Sequence, residues 1–87
     1  MPMPTAKKYT IVRHSRSESL HVFEARVSQA TLLCKLSSTH SLCGELEQDG
    51  AKAYSMADTC LTAEQARARC AELEEPVCAA CVEKLSD

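Results

Sequence analysis

The chain has 87 residues, a formal net charge of −2, six cysteines and three aromatic residues (Tyr9, Phe23 and Tyr54). A hydrophobic share of 45% with 25% charged residues describes a folded chain and excludes a disordered one, and no apolar run nears the roughly 18 residues of a membrane span. So short a chain makes one domain that buries only about 60–65% of its unfolded surface, so a disulfide, metal or partner staple is expected.

Residues 1–7 read as a disordered lead-in to a single small domain over 8–87. Three strand-like runs follow. The first, Lys8 to His14 (KYTIVRH), is rich in the β-branched and aromatic residues that suit a pleated surface. A polar loop, Ser15-Arg16-Ser17-Glu18-Ser19, leads to the second, Leu20 to Val27. One face of that run carries His21, Phe23, Ala25 and Val27, and the other carries Leu20, Val22, Glu24 and Arg26. Ser28-Gln29 is short enough for a hairpin turn, although it lacks the Asn-Gly type of signal. In the third run Ala30, Leu32, Cys34 and Leu36 share a face. An antiparallel meander is the natural reading.

A polar loop over 37–44 comes next. Residues 45–56 then read as a short hairpin around Asp49-Gly50, or partly as helix. The C-terminal third is helical. Thr62-Ala63-Glu64-Gln65 matches a capping box, and Ala63, Ala66, Cys70 and Leu73 follow at helical spacing. Pro76 ends that helix and suits the first turn of a second, running to about Leu85. The expected fold class is therefore α+β, a small antiparallel sheet of three to four strands followed by two C-terminal helices.

Two pairs of ligand-type residues stand out. His40-Ser41-Leu42-Cys43-Gly44 has the form of a metal knuckle, and Cys78-Ala79-Ala80-Cys81 is a C-x-x-C at a helix start. A two-residue gap lets two side chains of one turn converge on an ion. Gly44 permits a positive φ where the chain turns away, and a first helical turn favours thiolate. His40, Cys43, Cys78 and Cys81 thus form a candidate Cys3His set for a structural Zn2+. A variant set replaces His40 and Cys43 with His21 and Cys34. Otherwise His14 and His21 read as ordinary strand residues, Cys34 and Cys70 as core packing, and Cys60 as a loop thiol. One metal staple is expected, and no disulfide framework.

The knuckle at 40–44 with the late C-x-x-C and short helix at 77–85 resembles the treble-clef and zinc-ribbon families, in particular small zinc-type proteins of bacteria and their phages. The resemblance implies a structural zinc. In size and style alone the chain also resembles phage or mobile-element inhibitors of host machinery, such as anti-CRISPR proteins.

Catalytic motifs are absent. With Gly44 and Gly50 as the only glycines there is no phosphate-cradling loop, and neither G-x-S-x-G nor H-E-x-x-H occurs. A non-enzymatic protein-binding module is the expected function. A zinc-dependent nucleic-acid-binding regulator is the alternative, and a thiol redox protein the third. Charge is uneven, +4 over residues 1–42 and −6 over 43–87, which suggests two different faces. Candidate partner-binding residues are Arg13, Arg16 and Arg26 on a cationic face and Glu72, Glu74 and Glu75 on an acidic one. An open sheet edge offers a route to self-association. Nucleic-acid contact is weakly supported, because few aromatics are available to stack on bases. The start of the chain lacks the apolar core of a secretory signal, so a cytoplasmic location is expected (the host cytoplasm for a phage protein).

Overall fold

The computed structural model describes residues 7–28 and 30–85; the lead-in expected over 1–7 lies outside them apart from Lys7. The chain folds as α+β, with a curled four-stranded antiparallel sheet followed by C-terminal helices. Its strands are β1 (Lys8–His14), β2 (Leu20–Val27), β3 (Cys34–Leu36) and β4 (Ala51–Ala53), in the order β3-β2-β1-β4. Helix α1 spans Ala63–Glu72 and α2 spans Ala79–Glu83. Among the described residues no helix is long and apolar enough to cross a membrane.

Strands β1 and β2 form where the sequence places them, in a register that sets Ile11 opposite Val22 and Val12 opposite His21. Both faces of this central pair are buried. Tyr9, Ile11, Leu20 and Val22 pack against Ala63 and Ala66 of α1 and against Cys81 and Leu85. Thr10, Val12, Phe23 and Ala25, on the opposite face, are buried as well. A disulfide between Cys34 and Cys60 lies over Thr10, whose hydroxyl accepts a hydrogen bond from the Cys60 amide (3.2 Å) and stands 3.5 Å from Cys34 Sγ. The reading of Cys34 as core packing and Cys60 as a loop thiol is thereby corrected. β3 is an edge strand whose sulfur reaches across the curl of the sheet, a proximity that no local spacing encodes.

Two further differences have local causes. The third run does not begin at Ala30. Val27 pairs with Cys34, which leaves Ser28 and residues 30–33 outside the strands, with Leu32 at φ 58°; Gln29 of the expected turn lies outside the described residues. Without a two-residue turn signal the hairpin closes late, and Leu32 and Leu33 remain exposed. Residues 45–56 do not form a hairpin of their own. Instead β4 pairs with β1, setting Lys52 opposite Arg13. Gly50, at φ 94°, fits here because a Cβ would stand 2.6 Å from Ser15 Oγ.

Helix α1 starts as expected. The Thr62 hydroxyl accepts from the Gln65 amide, and Gln65 Oε1 accepts from the Thr62 amide. Asp58 is fully buried before it, accepting from Ser55 Oγ and Arg69 Nε. Helix α2 is shorter than the 76–85 reading. Residues 76–78 run beside β2 instead, where the Leu20 amide donates to Pro76 O and the Cys78 amide donates to Leu20 O, each at 2.8 Å.

Candidate metal centre

Strand β2 assembles the site along its outer edge. Beyond β3, two other segments hydrogen-bond to that edge. The Leu42 amide donates to Val22 O (2.9 Å), and Cys78 is held by Leu20 as above. His21 lies between those two anchor points on β2. Cys43 follows Leu42, and Cys81 lies in the first turn of α2 after Cys78. The four ligand atoms of His21, Cys43, Cys78 and Cys81 all fall within 4.8 Å of one another. Such a set of one imidazole and three thiols can hold a metal ion.

The surrounding groups leave these side chains in forms compatible with a metal ion. His21 turns Nδ1 toward the sulfurs, 3.6 Å from Cys43 Sγ and 3.5 Å from Cys81 Sγ. Its Nε2 therefore carries the hydrogen and donates to Ser17 Oγ at 3.0 Å. Ser17 in turn donates to Ser19 O. A metal-binding histidine commonly has its other nitrogen fixed in this way. Burial, with a contribution from His14, lowers the His21 pKa against the opposing pull of Glu45, and keeps the ring neutral and able to ligate. That depressed pKa also sets an acid limit. The stability His21 contributes is complete above its unfolded value near 6.5 and declines as the pH falls below it.

At Cys43 burial raises the thiol pKa, but hydrogen bonds from the Ser41 hydroxyl, the Glu45 amide and the Cys81 and Cys78 thiols outweigh it, and the net shift is downward from the ordinary thiol value. Ser41 Oγ is 3.1 Å from the sulfur. Gly44 turns the chain away at φ 80°, as the knuckle pattern expects. Cys81 is fully buried, and burial pushes its thiol up to about 12 despite the Val22 and Cys43 amides directed at it. Without metal that sulfur keeps its proton, so metal binding displaces one.

Three of the four expected ligands are thus brought together, and the fourth corner is His21 rather than His40. His40 is exposed, with Nδ1 3.0 Å from Thr39 Oγ1, and its backbone bridges to Glu47. The knuckle points its cysteine inward and its histidine outward. The variant set names His21, but its other member, Cys34, is in the disulfide. Cys70 is a half-buried free thiol on α1.

Of the charged residues expected to bind partners, Arg13 and Glu75 meet each other. Arg13 Nη2 donates to both carboxylate oxygens of Glu75, and Tyr54 Oη donates to Glu75 Oε1 at 3.2 Å. Arg16 is exposed, and its amide donates to His14 Nδ1. Arg26 stands apart. It pairs with Lys35 near the far end of β2, roughly 20 Å along the strand from Leu20, which faces Arg13. Glu72 lies 3.6 Å from Arg69, and Glu74 is exposed. No family model, curated protein or solved structure matches this chain.

Proposed function

We propose that this chain is a small, non-enzymatic protein-binding module stapled by one structural zinc ion on His21, Cys43, Cys78 and Cys81. The observation that carries the reading is the pair of nitrogen–sulfur separations, 3.5 and 3.6 Å. With Zn–S of about 2.3 Å and Zn–N of about 2.0–2.1 Å, tetrahedral geometry places a nitrogen and a sulfur ligand about 3.5 Å apart. Thiolate and imidazole donors suit zinc better than they suit magnesium or calcium. Four protein ligands leave no corner for a substrate, which supports a structural and not a catalytic ion. Protein is favoured over nucleic acid as the partner because, among the described residues, the basic groups are dispersed, with Arg13 against Glu75 and Arg26 roughly 20 Å away along β2, so they form no continuous basic stripe.

Elemental analysis of the purified chain tests the staple, with one zinc per chain expected. His21→Ala and Cys78→Ser should lose the ion and His40→Ala should keep it. Metal-free wild-type protein, or loss of zinc on changing His40, would overturn the assignment. Binding of an oligonucleotide in a gel-shift assay would replace the protein-binding reading with a zinc-dependent nucleic-acid-binding regulator.

A further inference from the structure

A second site adjoins the metal centre. The loop after β1 and strand β4 enclose a cleft of about 530 Å³, walled by Arg13, Ser15, Ser17, Lys52 and Tyr54 with His14 among its lining. Small-molecule sites commonly occupy roughly 300–1,000 Å³. His14 itself is closed to a ligand. Its Nδ1 accepts from the Arg16 amide, so its Nε2 carries the hydrogen and donates to Glu47 O at 2.8 Å.

The walls have the unusual feature. Arg13 and Lys52 face each other directly across the β1–β4 pair, and like charges so placed destabilise a sheet. Glu75 offsets Arg13 alone; among the described residues Lys52 has no carboxylate within ion-pair distance. The Arg13 guanidinium is held 5.5 Å from the centre of the Tyr54 ring. It meets Glu75 through Nη2 only, so Nε and Nη1 have no protein acceptor among the described residues. The Ser15 hydroxyl is also without one, and it crowds the place where a Cβ on Gly50 would be.

We propose that this cleft binds a phosphate-monoester group. A tetrahedral oxyanion with three terminal oxygens can meet an ammonium, the free edge of a guanidinium and a hydroxyl together. A carboxylate of the protein already occupies the planar Nη2 side of Arg13. The volume exceeds that of a phosphate alone and leaves room for the group it esterifies. That group is a small molecule or a phosphorylated side chain of a partner, and the latter would place the proposed protein contact here. The site stands independently of which metal, if any, is bound.

An amide-resolved NMR titration of the purified chain at constant ionic strength tests this. Inorganic phosphate, a small phosphate monoester and a phosphoserine peptide are compared with acetate, the unphosphorylated peptide and an oligonucleotide. Saturable shifts centred on Arg13, Ser15 and Lys52 are expected with the first three. Tighter binding of the peptide than of the small ester identifies the partner source, and the reverse order identifies a free metabolite. Lys52→Gln should weaken binding at least tenfold while leaving the melting temperature unchanged or raised. The proposal is overturned by an absence of saturable shifts, by an equal response to acetate or the oligonucleotide, or by undiminished binding in Lys52→Gln. Zinc content, measured on the same sample, reports separately on the staple.

Discussion

Ser17 lies between the His/Cys cluster and the cleft, bonded to His21 on one side and lining the cleft on the other. Its hydroxyl accepts the Nε2 hydrogen of His21 and closes the loop by bonding to both the amide and the carbonyl of Ser19. It selects the tautomer that leaves Nδ1 free for metal. Removing such an outer partner commonly costs about 10–100-fold in metal affinity without removing a ligand. Ser17→Ala should therefore still bind one zinc, but lose it to a chromophoric chelator at a correspondingly lower chelator concentration. Ser17→Thr, which keeps the hydroxyl, should recover most of the affinity. An unchanged competition curve for the alanine variant would show that the imidazole is oriented by packing alone.

Among the elements, α1 was legible in the sequence because its signals are local. Thr62 and Gln65 cap each other, and Ala63 and Ala66 bury the face that their spacing defines. Thr62→Ala should cost about 1 kcal/mol, the usual value of an N-cap hydroxyl, read as a lower urea midpoint at constant slope. A null effect would mean that packing of Ala63 and Ala66 holds the first turn unaided. Elements fixed by distant partners were less legible. Pro76 and Val77 carry helix-start signals, yet Leu20 captures them along β2. The run from Ala30 alternates like a strand, yet only Cys34–Leu36 finds a partner. The metal site divides in the same way. Cys43, Cys78 and Cys81 stand out by spacing, whereas His21 joins them only because Leu42 and Cys78 dock on either side of it. Nothing near His21 in sequence separates it from an ordinary strand histidine.

For the whole molecule, the aromatic-poor core raises the question of how the disulfide and the proposed zinc staple share in holding the fold. The Cys34–Cys60 bond closes 26 residues, worth about 3.5 kcal/mol on chain-entropy grounds. A structural zinc site supplies an apparent 10–16 kcal/mol or so, against a net stability of about 5–15 kcal/mol for an ordinary domain. The staples also grip different parts. The disulfide joins β3 to the segment before α1, while the His/Cys set joins β2, the knuckle and α2. Losing the first leaves the core of Tyr9, Ile11, Leu20 and Val22 covered by both helices. Losing the second leaves α2 held by its apolar contacts at Cys81 and Leu85 and by the Cys78–Leu20 hydrogen bond, with the Cys81 thiol protonated among apolar neighbours. A phosphine reductant should thus lower the thermal midpoint of the zinc-loaded chain and leave it folded at 25 °C, and Cys34→Ser with Cys60→Ser should reproduce that shift. A chelator without reductant should abolish the cooperative melt, and added zinc should restore it. Circular dichroism melts under the four combinations decide the order. A chain that melts cooperatively after chelation but not after reduction would make the disulfide the dominant staple.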